Sequence, residues 1–360
     1  NFPAMIPHGW MIPLCLAAGN TFVLKAASAA PQSALRFAEL WMEAGLPPGV
    51  LNVITCAPDD VSLFIQHPDI VGVSFVGSSE TGARVYAEAA AEGKRVQVLG
   101  EAKNHALVMA DCALERTAAG IINAFCGCAG QRCMALPVVV AEEPVADALV
   151  RLLREKAAHL KLGPAYDKNT TLGPLVSASR RKNVLDWIGR GIREGAELVL
   201  DGRGISVPGY ENGFFIGPTL FDHVTPGMSI GEQEIFGPVL CIKRVRNFEE
   251  GLSVMNANPF ANGSVIYTQN GRYAREFTRR THGGMVGVNV GIPVPVCSFG
   301  FTGHKRSFFG DLHTMGTDGV RFYTEKKTVT STWFEDGHRG IVDTWDGTLG
   351  SLSENSGKRN

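Results

Sequence analysis

The chain has 360 residues, 45% of them hydrophobic and 19% charged, with a formal net charge of -1. That length allows two domains with ample apolar material for their cores, and the interspersed signs exclude the basic footprint that nucleic-acid phosphates demand. The eight cysteines, at 15, 56, 112, 126, 128, 133, 241 and 297, lack the density and spacing of a disulfide framework, which favours a reducing compartment.

Pro3, Pro7 and Pro13 interrupt the apolar start, and no charged leader precedes it, so neither a signal peptide nor a membrane span is expected. Asn1 opens the chain inside a segment that reads as core, and an N-terminal portion is expected to precede it. Strand-like and helix-like runs then alternate: a strand over 21–25, a helix over 32–44, a strand over 51–54, a helix over 60–66 and a strand over 71–75. Gly77-Ser78 opens a further helix over 79–92, and 95–99 reads as a fourth strand. Such alternation predicts βαβ units and a parallel sheet. Gly45 and the Pro47-Pro48-Gly49 turn close the first helix.

From about Ala102 a second α/β unit begins, with helices over 113–125, 145–160 and 178–194 and later strands over 265–268 and 285–289. A strand-like run follows at 326–333, and the polar stretch after it is expected to be poorly ordered.

Several residues could carry chemistry. Cys133 follows a Gly-rich turn in Gly130-Gln131-Arg132-Cys133. A free thiol titrates near 8.5, so a catalytic thiolate needs backbone N–H donors or a cation; from position alone the residue reads more readily as a core cysteine. Cys126, Cys128 and Cys133 could hold a metal, yet no second Cys pair or His pair completes a ligand set. Gly77-Ser78 is either a tight turn or a phosphate cradle at a helix N-terminus. Glu234 and Phe236, in Glu234-Ile235-Phe236-Gly237-Pro238, could face ribose hydroxyls and a flat ring.

Taken in order, these segments resemble the aldehyde dehydrogenase superfamily. Asn1-Phe2-Pro3, Gly19-Asn20-Thr21, Lys25, Phe75-Val76-Gly77-Ser78, Gly130-Gln131-Arg132-Cys133, Glu234-Ile235-Phe236-Gly237-Pro238 and Val288-Asn289 carry the likeness, which spans Asn1 to about Trp333. Ala102-Lys103-Asn104-His105, Arg132-Cys133-Met134-Ala135-Leu136, Gly209-Tyr210-Glu211-Asn212-Gly213 and Ile292-Pro293-Val294-Pro295 are similar to its CoA-acylating, methylmalonate-semialdehyde branch.

The resemblance implies an α/β aldehyde dehydrogenase fold: a Rossmann-like NAD-binding domain over 1–101, incomplete at its N-terminus, and an α/β catalytic domain over 102–305. A return segment with an oligomerisation strand over 306–333 and a polar tail over 334–360 complete it. It implies NAD as cofactor and CoA as cosubstrate, and the oxidative decarboxylation of methylmalonate or malonate semialdehyde to propionyl-CoA or acetyl-CoA. Cys133 would be the nucleophile, with Asn1 and a backbone N–H at Cys133 holding the oxyanion.

Arg132 would grip the substrate carboxylate, or else close a salt bridge beneath its loop. Phe301 would wall the substrate, or else fill the core. Lys25 and Ser28 would lie at the adenosine ribose, Gly77 and Ser78 at the pyrophosphate, and Glu234 with Phe236 at the nicotinamide ribose. Hydrolytic relatives place a glutamate base four residues before the lysine at 103, and here that position is Leu99. Leucine cannot deprotonate water, whereas a thiol near neutral pH is already partly ionised, so Leu99 favours CoA as acceptor. Glu101 is a poor substitute base, and His105 reads as structural.

The chain departs from the family where Ala26-Ala27-Ser28 replaces Pro-Ser-Glu, which predicts weaker NAD binding or relaxed rejection of a 2′-phosphate. Thr55-Cys56-Ala57-Pro58 replaces a glycine-bearing turn. The competing readings are a hydrolytic aldehyde dehydrogenase and a catalytically silent subunit partner. A homo-oligomer, dimer or tetramer, is expected, in valine and thymine catabolism, mitochondrial in a eukaryote and cytoplasmic in a bacterium.

Overall fold

The computed structural model describes residues 2–296, 298–331 and 333; Asn1, Cys297, Thr332 and 334–360 lie outside the described residues, as do the side chains of Phe2 and Pro3. A π-helical turn over Pro7–Met11 runs into α1 (Ile12–Ala17). One βαβ unit follows, made of β1 (Phe22–Lys25), α2 (Pro31–Glu43) and β2 (Leu51–Ile54). After α3 (Val61–Gln66), a second consists of β3 (Gly72–Val76), α4 (Ser79–Ala91) and β4 (Arg95–Leu99).

The larger sheet is assembled from β5 (His105–Val108), β6 (Val138–Glu142), β7 (Glu197–Leu200), β8 (Thr219–Asp222), β9 (Val239–Val245), β11 (Gly263–Tyr267) and β12 (Met285–Val288). Between them run α5 (Leu114–Cys126), α6 (Glu143–Ala158), α7 (Ala178–Arg193), α8 (Phe248–Ala257) and α9 (Gly271–Arg280). Small strands β10 (Phe260–Ala261), β13 (His304–Lys305) and β14 (Phe308–Phe309) precede α10 (Gly316–Phe322).

The seven strands stand in the order β12-β11-β5-β6-β9-β8-β7, all parallel except the β7–β8 pair. Val138, Val139, Val140 and Ala141 of β6 are fully buried, as a parallel strand covered on both faces requires. α5 buries Ala118, Ile121, Ile122 and Phe125, the spacing that lays one stripe of a helix on a sheet.

The four N-terminal strands form two separate parallel pairs, β1–β2 and β3–β4, where one continuous sheet was expected. β14 adds antiparallel to the outer edge of β4, pairing Phe308 with Leu99, so the return segment belongs to this side of the molecule. Residues 1–324 nevertheless pack as one unit, within which the expected boundaries at 101/102 and 305/306 fall. The strand expected over 326–333 is not formed at its described residues. An extended run becomes a strand only when a neighbour takes up its N–H and C=O groups, and none does so among the described residues. Among these residues, no helix is long and apolar enough to cross a membrane.

The geometry of α4 matters because it aims a helix N-terminus at the candidate phosphate site. Ser78 caps it by accepting the Thr81 N–H, and Gly82 lets it sit close to the sheet: a Cβ there would come within 2.5 Å of Val98 Cγ1. Gly→Ala in an exposed helix gains about 1 kcal/mol, but overpacking against a stiff valine costs about 1–3 kcal/mol. Gly82→Ala is therefore expected to lower unfolding stability by up to about 2 kcal/mol in a denaturant titration; a stabilised variant would contradict the close α4–β4 packing.

Candidate active site

Cys133 owes its position to an unusual turn. After α5 the backbone passes through three successive left-handed residues, Cys128 (φ 52), Ala129 (φ 54) and Gly130 (φ 71), and folds back on itself. A Cβ on Gly130 would lie 2.2 Å from the Gly237 carbonyl oxygen and 2.9 Å from Pro238 N. Only glycine permits that approach, so the Gly-Gln-Arg-Cys turn and the Glu-Ile-Phe-Gly-Pro segment meet backbone to backbone. Phe236 in that segment is itself left-handed (φ 57).

Two side chains then hold the nucleophile's own carbonyl. Asn104 Nδ2 donates to Cys133 O (2.9 Å) and Ala135 O (2.7 Å), while its Oδ1 accepts the Gly263 N–H (2.7 Å). Asn262 Nδ2 adds a bond to Cys133 O at 3.3 Å and contacts Met134 Sδ at 3.2 Å. Sequence reasoning gave neither asparagine a role. The available signal was a polar run, Lys103-Asn104-His105, at the start of a fully buried strand.

The sulfur faces an apolar cluster of Ile6, Met11, Leu99, Met134, Met285, Phe301, Phe308 and Met315. Burial pushes the Cys133 thiol up to about 12, and the charge of Glu234 adds to the effect; the backbone N–H groups of Cys133 and Met134 work in the opposite direction. Those two N–H groups are the kind of donors an oxyanion hole needs. Burial also raises the Glu234 carboxyl, to about 8, aided by the charge of Glu101 and opposed by the Ala102 N–H, Lys103 and Arg180. Its Oε1 accepts the Ala102 N–H at 3.0 Å.

Leu99 ends β4 with its side chain buried in the same cluster as Cys133. Glu101, the other carboxylate of this segment, is tied to α4: its Oε2 accepts the Ser79 N–H (3.1 Å), and its own N–H donates to Ser79 Oγ (2.9 Å). His105 is buried and donates from Nδ1 to Lys103 O at 2.6 Å; burial and the charge of Lys243 push it down to about 3, so it stays neutral. Lys103 Nζ is spent on Ile230 O at 2.8 Å.

Phe301 is a core aromatic in the apolar cluster against which Cys133 packs. It is buried in the Cys133 cluster and packs on Trp10 with ring centroids 4.6 Å apart. Arg132 forms no ion pair among the described residues; its Nε donates to Cys128 Sγ at 3.3 Å. Asn1, the expected oxyanion donor, lies outside the described residues.

On the cofactor side, Lys25 Nζ and Ser28 Oγ come together at 3.2 Å at the end of β1. Gly77 leaves room above the Phe75 ring, where a Cβ would lie 2.6 Å from Cζ, and its N–H donates to Leu99 O. Ser78 then opens α4. A paired ammonium and hydroxyl at one strand end and a glycine-led helix start at another suit a dinucleotide's ribose and pyrophosphate.

Known proteins similar to this chain share one activity class in their names. Malonate-semialdehyde dehydrogenase 3 of Geobacillus kaustophilus is 50% identical over 333 residues, covering 92% of this chain and 68% of that protein. Malonate-semialdehyde dehydrogenase of Pseudomonas aeruginosa is 49% identical over 334 residues, covering 92% and 67%. Among solved structures, a Sinorhizobium meliloti protein assigned as a methylmalonate-semialdehyde dehydrogenase and complexed with NAD superposes with a TM-score of 0.91 at 47% identity, covering 93% of this chain and 68% of that one. The methylmalonate-semialdehyde dehydrogenase of Oceanimonas doudoroffii gives 0.91 at 44% identity, covering 94% and 69%. The description of the aldehyde dehydrogenase family matches residues 1–329, and the chain belongs to that family.

Proposed function

We propose that this chain catalyses the NAD-dependent oxidation of malonate or methylmalonate semialdehyde with transfer of the acyl group from Cys133 to CoA. The observation that carries the reading is the pair Leu99 and Glu101. A hydrocarbon side chain occupies the apolar cluster beside Cys133, and the neighbouring carboxylate is bonded to the α4 N-terminus. A water molecule at a Cys133 thioester finds no base in either, whereas the thiol of CoA supplies its own ionised fraction. The names of the relatives support the substrate class.

In this mechanism the Cys133 thiolate adds to the aldehyde carbon. The backbone N–H groups at Cys133 and Met134 lie beside the sulfur to receive the developing oxyanion, with the Asn1 amide as a further donor. NAD, when bound, accepts the hydride that leaves this carbon. Lys25, Ser28, Gly77 and Ser78 would hold its adenosine and pyrophosphate parts, and Glu234 with Phe236 its nicotinamide ribose. The Arg132 guanidinium would hold the substrate carboxylate until that group leaves as CO2 and a proton from solvent replaces it on the α-carbon; the CoA thiolate then takes the acyl group and releases the Cys133 thiolate, giving acetyl-CoA or propionyl-CoA.

Purified protein supplied with malonate semialdehyde, NAD and CoA is expected to form NADH and acyl-CoA together; release of free acid at the same rate without CoA would establish the hydrolytic alternative. Cys133→Ala should reduce turnover by at least roughly three orders of magnitude, and retained turnover would remove the nucleophile assignment. Ser28→Glu would restore a carboxylate for the ribose and is expected to tighten NAD binding about three- to tenfold by calorimetry; an unchanged Kd would place Ser28 away from the ribose.

The raised thiol sets a pH dependence. Because the thiolate is the reactive form, alkylation of Cys133 by iodoacetamide, followed peptide by peptide in the mass spectrometer, should rise about tenfold per pH unit from pH 7 to 10. Glu234 ionises only near pH 8 and disfavours the thiolate once charged. Glu234→Gln should therefore accelerate alkylation at pH 9 and leave it nearly unchanged at pH 6.5. Equal acceleration at both pH values would contradict an electrostatic cause.

A further inference from the structure

We propose that Cys128 is a positioning residue for recognition of the substrate carboxylate, setting the guanidinium of Arg132 through an N–H···S hydrogen bond. The inference rests on Arg132 being the carboxylate anchor. Its own content is that a residue four positions earlier aims that anchor.

Three observations converge. The Arg132 Nε–H is 3.3 Å from Cys128 Sγ, and no other acceptor for the guanidinium exists among the described residues. The guanidinium lies against Gly127, where a Cβ would come 2.2 Å from Nη2, 2.4 Å from Cζ and 2.6 Å from Nη1. The left-handed backbone at Cys128 and Ala129 curls the chain so that side chains 128 and 132 meet across the turn.

The consequence is geometric. A guanidinium has two edges that match a carboxylate bidentately, one through Nε and one Nη, the other through both Nη groups. With Nε held by sulfur, the edge carrying both Nη groups is the one left for the substrate. The flat contact with Gly127 fixes the plane of the fork, and the sulfur fixes its rotation within that plane. A cation held in this way loses less side-chain freedom on binding a carboxylate than one waving from a loop.

The two supports can be removed separately. Cys128→Ala deletes the acceptor. Gly127→Ala deletes the flat seat, and since Gly127 has φ -54, alanine is conformationally acceptable there and the effect is purely steric. Steady-state kinetics of the full chain with NAD and CoA would compare malonate semialdehyde with propanal, an aldehyde without a carboxylate. Both variants are expected to raise KM for the semialdehyde about three- to tenfold, with kcat within about twofold and propanal kinetics unchanged. Cys128→Ser, which keeps an acceptor, should recover most of the loss.

A readout independent of turnover is the protection of Cys133 from iodoacetamide by malonate, whose half-protecting concentration should rise by the same factor in both variants. Arg132→Leu separates the two ideas. If it raises KM for the semialdehyde and for propanal alike, the anchor assignment itself falls. If it raises KM for the semialdehyde alone while Cys128→Ala behaves as the parent in KM and in protection, the positioning role is overturned. Equal losses on both aldehydes in Cys128→Ala would show a structural role and would also overturn it.

Discussion

The side-chain amide of Asn104 is the fixed point to which the catalytic loop is tied. It is buried, and it satisfies the Cys133 carbonyl, the Ala135 carbonyl and the Gly263 N–H at once. Each buried polar group deprived of its partner costs about 1–3 kcal/mol, so the amide is coupled to three groups that have few alternatives. Asn104 stands just before β5, near the middle of the seven-stranded sheet, and Gly263 begins β11 beside it. The position of the sulfur is thereby inherited from the buried seven-stranded sheet. Gly130 supplies a second restraint from the other side, through its backbone approach to Gly237.

These restraints act on a turn that has little reason to form by itself. Two of its three left-handed residues carry a Cβ, and such residues cost of order 1–3 kcal/mol each when the surroundings do not impose them. Here the surroundings do. The turn is held between the asparagine clamp and the Phe236-Gly237-Pro238 backbone, and it places Cys128, Arg132 and Cys133 around one short stretch of chain. Strain, clamp and anchor form a single arrangement.

Much of this was legible in the sequence, for identifiable reasons. The βαβ alternation through residue 99 and the helices over 113–125, 145–160 and 178–194 appear as α2 to α7, because their apolar stripes and Gly or Pro punctuation are local signals. α9 gave no such signal, since one phenylalanine, Phe277, is its sole fully buried residue. The start of α4 at Gly77-Ser78 could be picked out because a glycine-serine turn after a strand is a local signal. The addition of β14 to β4 depends on a pairing across more than 200 residues, and no local signal marks the division of β1–β4 into two pairs. The asparagine clamp was hidden for the same reason: Asn104 and Asn262 are distant in the chain and meet only once the strands have paired. The run over 326–333 shows the converse, a local preference that no neighbour among the described residues takes up.

The apolar surroundings of Cys133 bear on its oxidation as well as on its reactivity with substrate. Peroxides oxidise thiolates far faster than thiols, and over-oxidation to the sulfinic level is chemically irreversible for most proteins. A sulfur pushed up to about 12 by its apolar surroundings presents almost no thiolate at neutral pH. The apolar surroundings that push this thiol up would by the same physics slow its oxidation, and Cys128, an exposed residue a few positions earlier, lacks that cover.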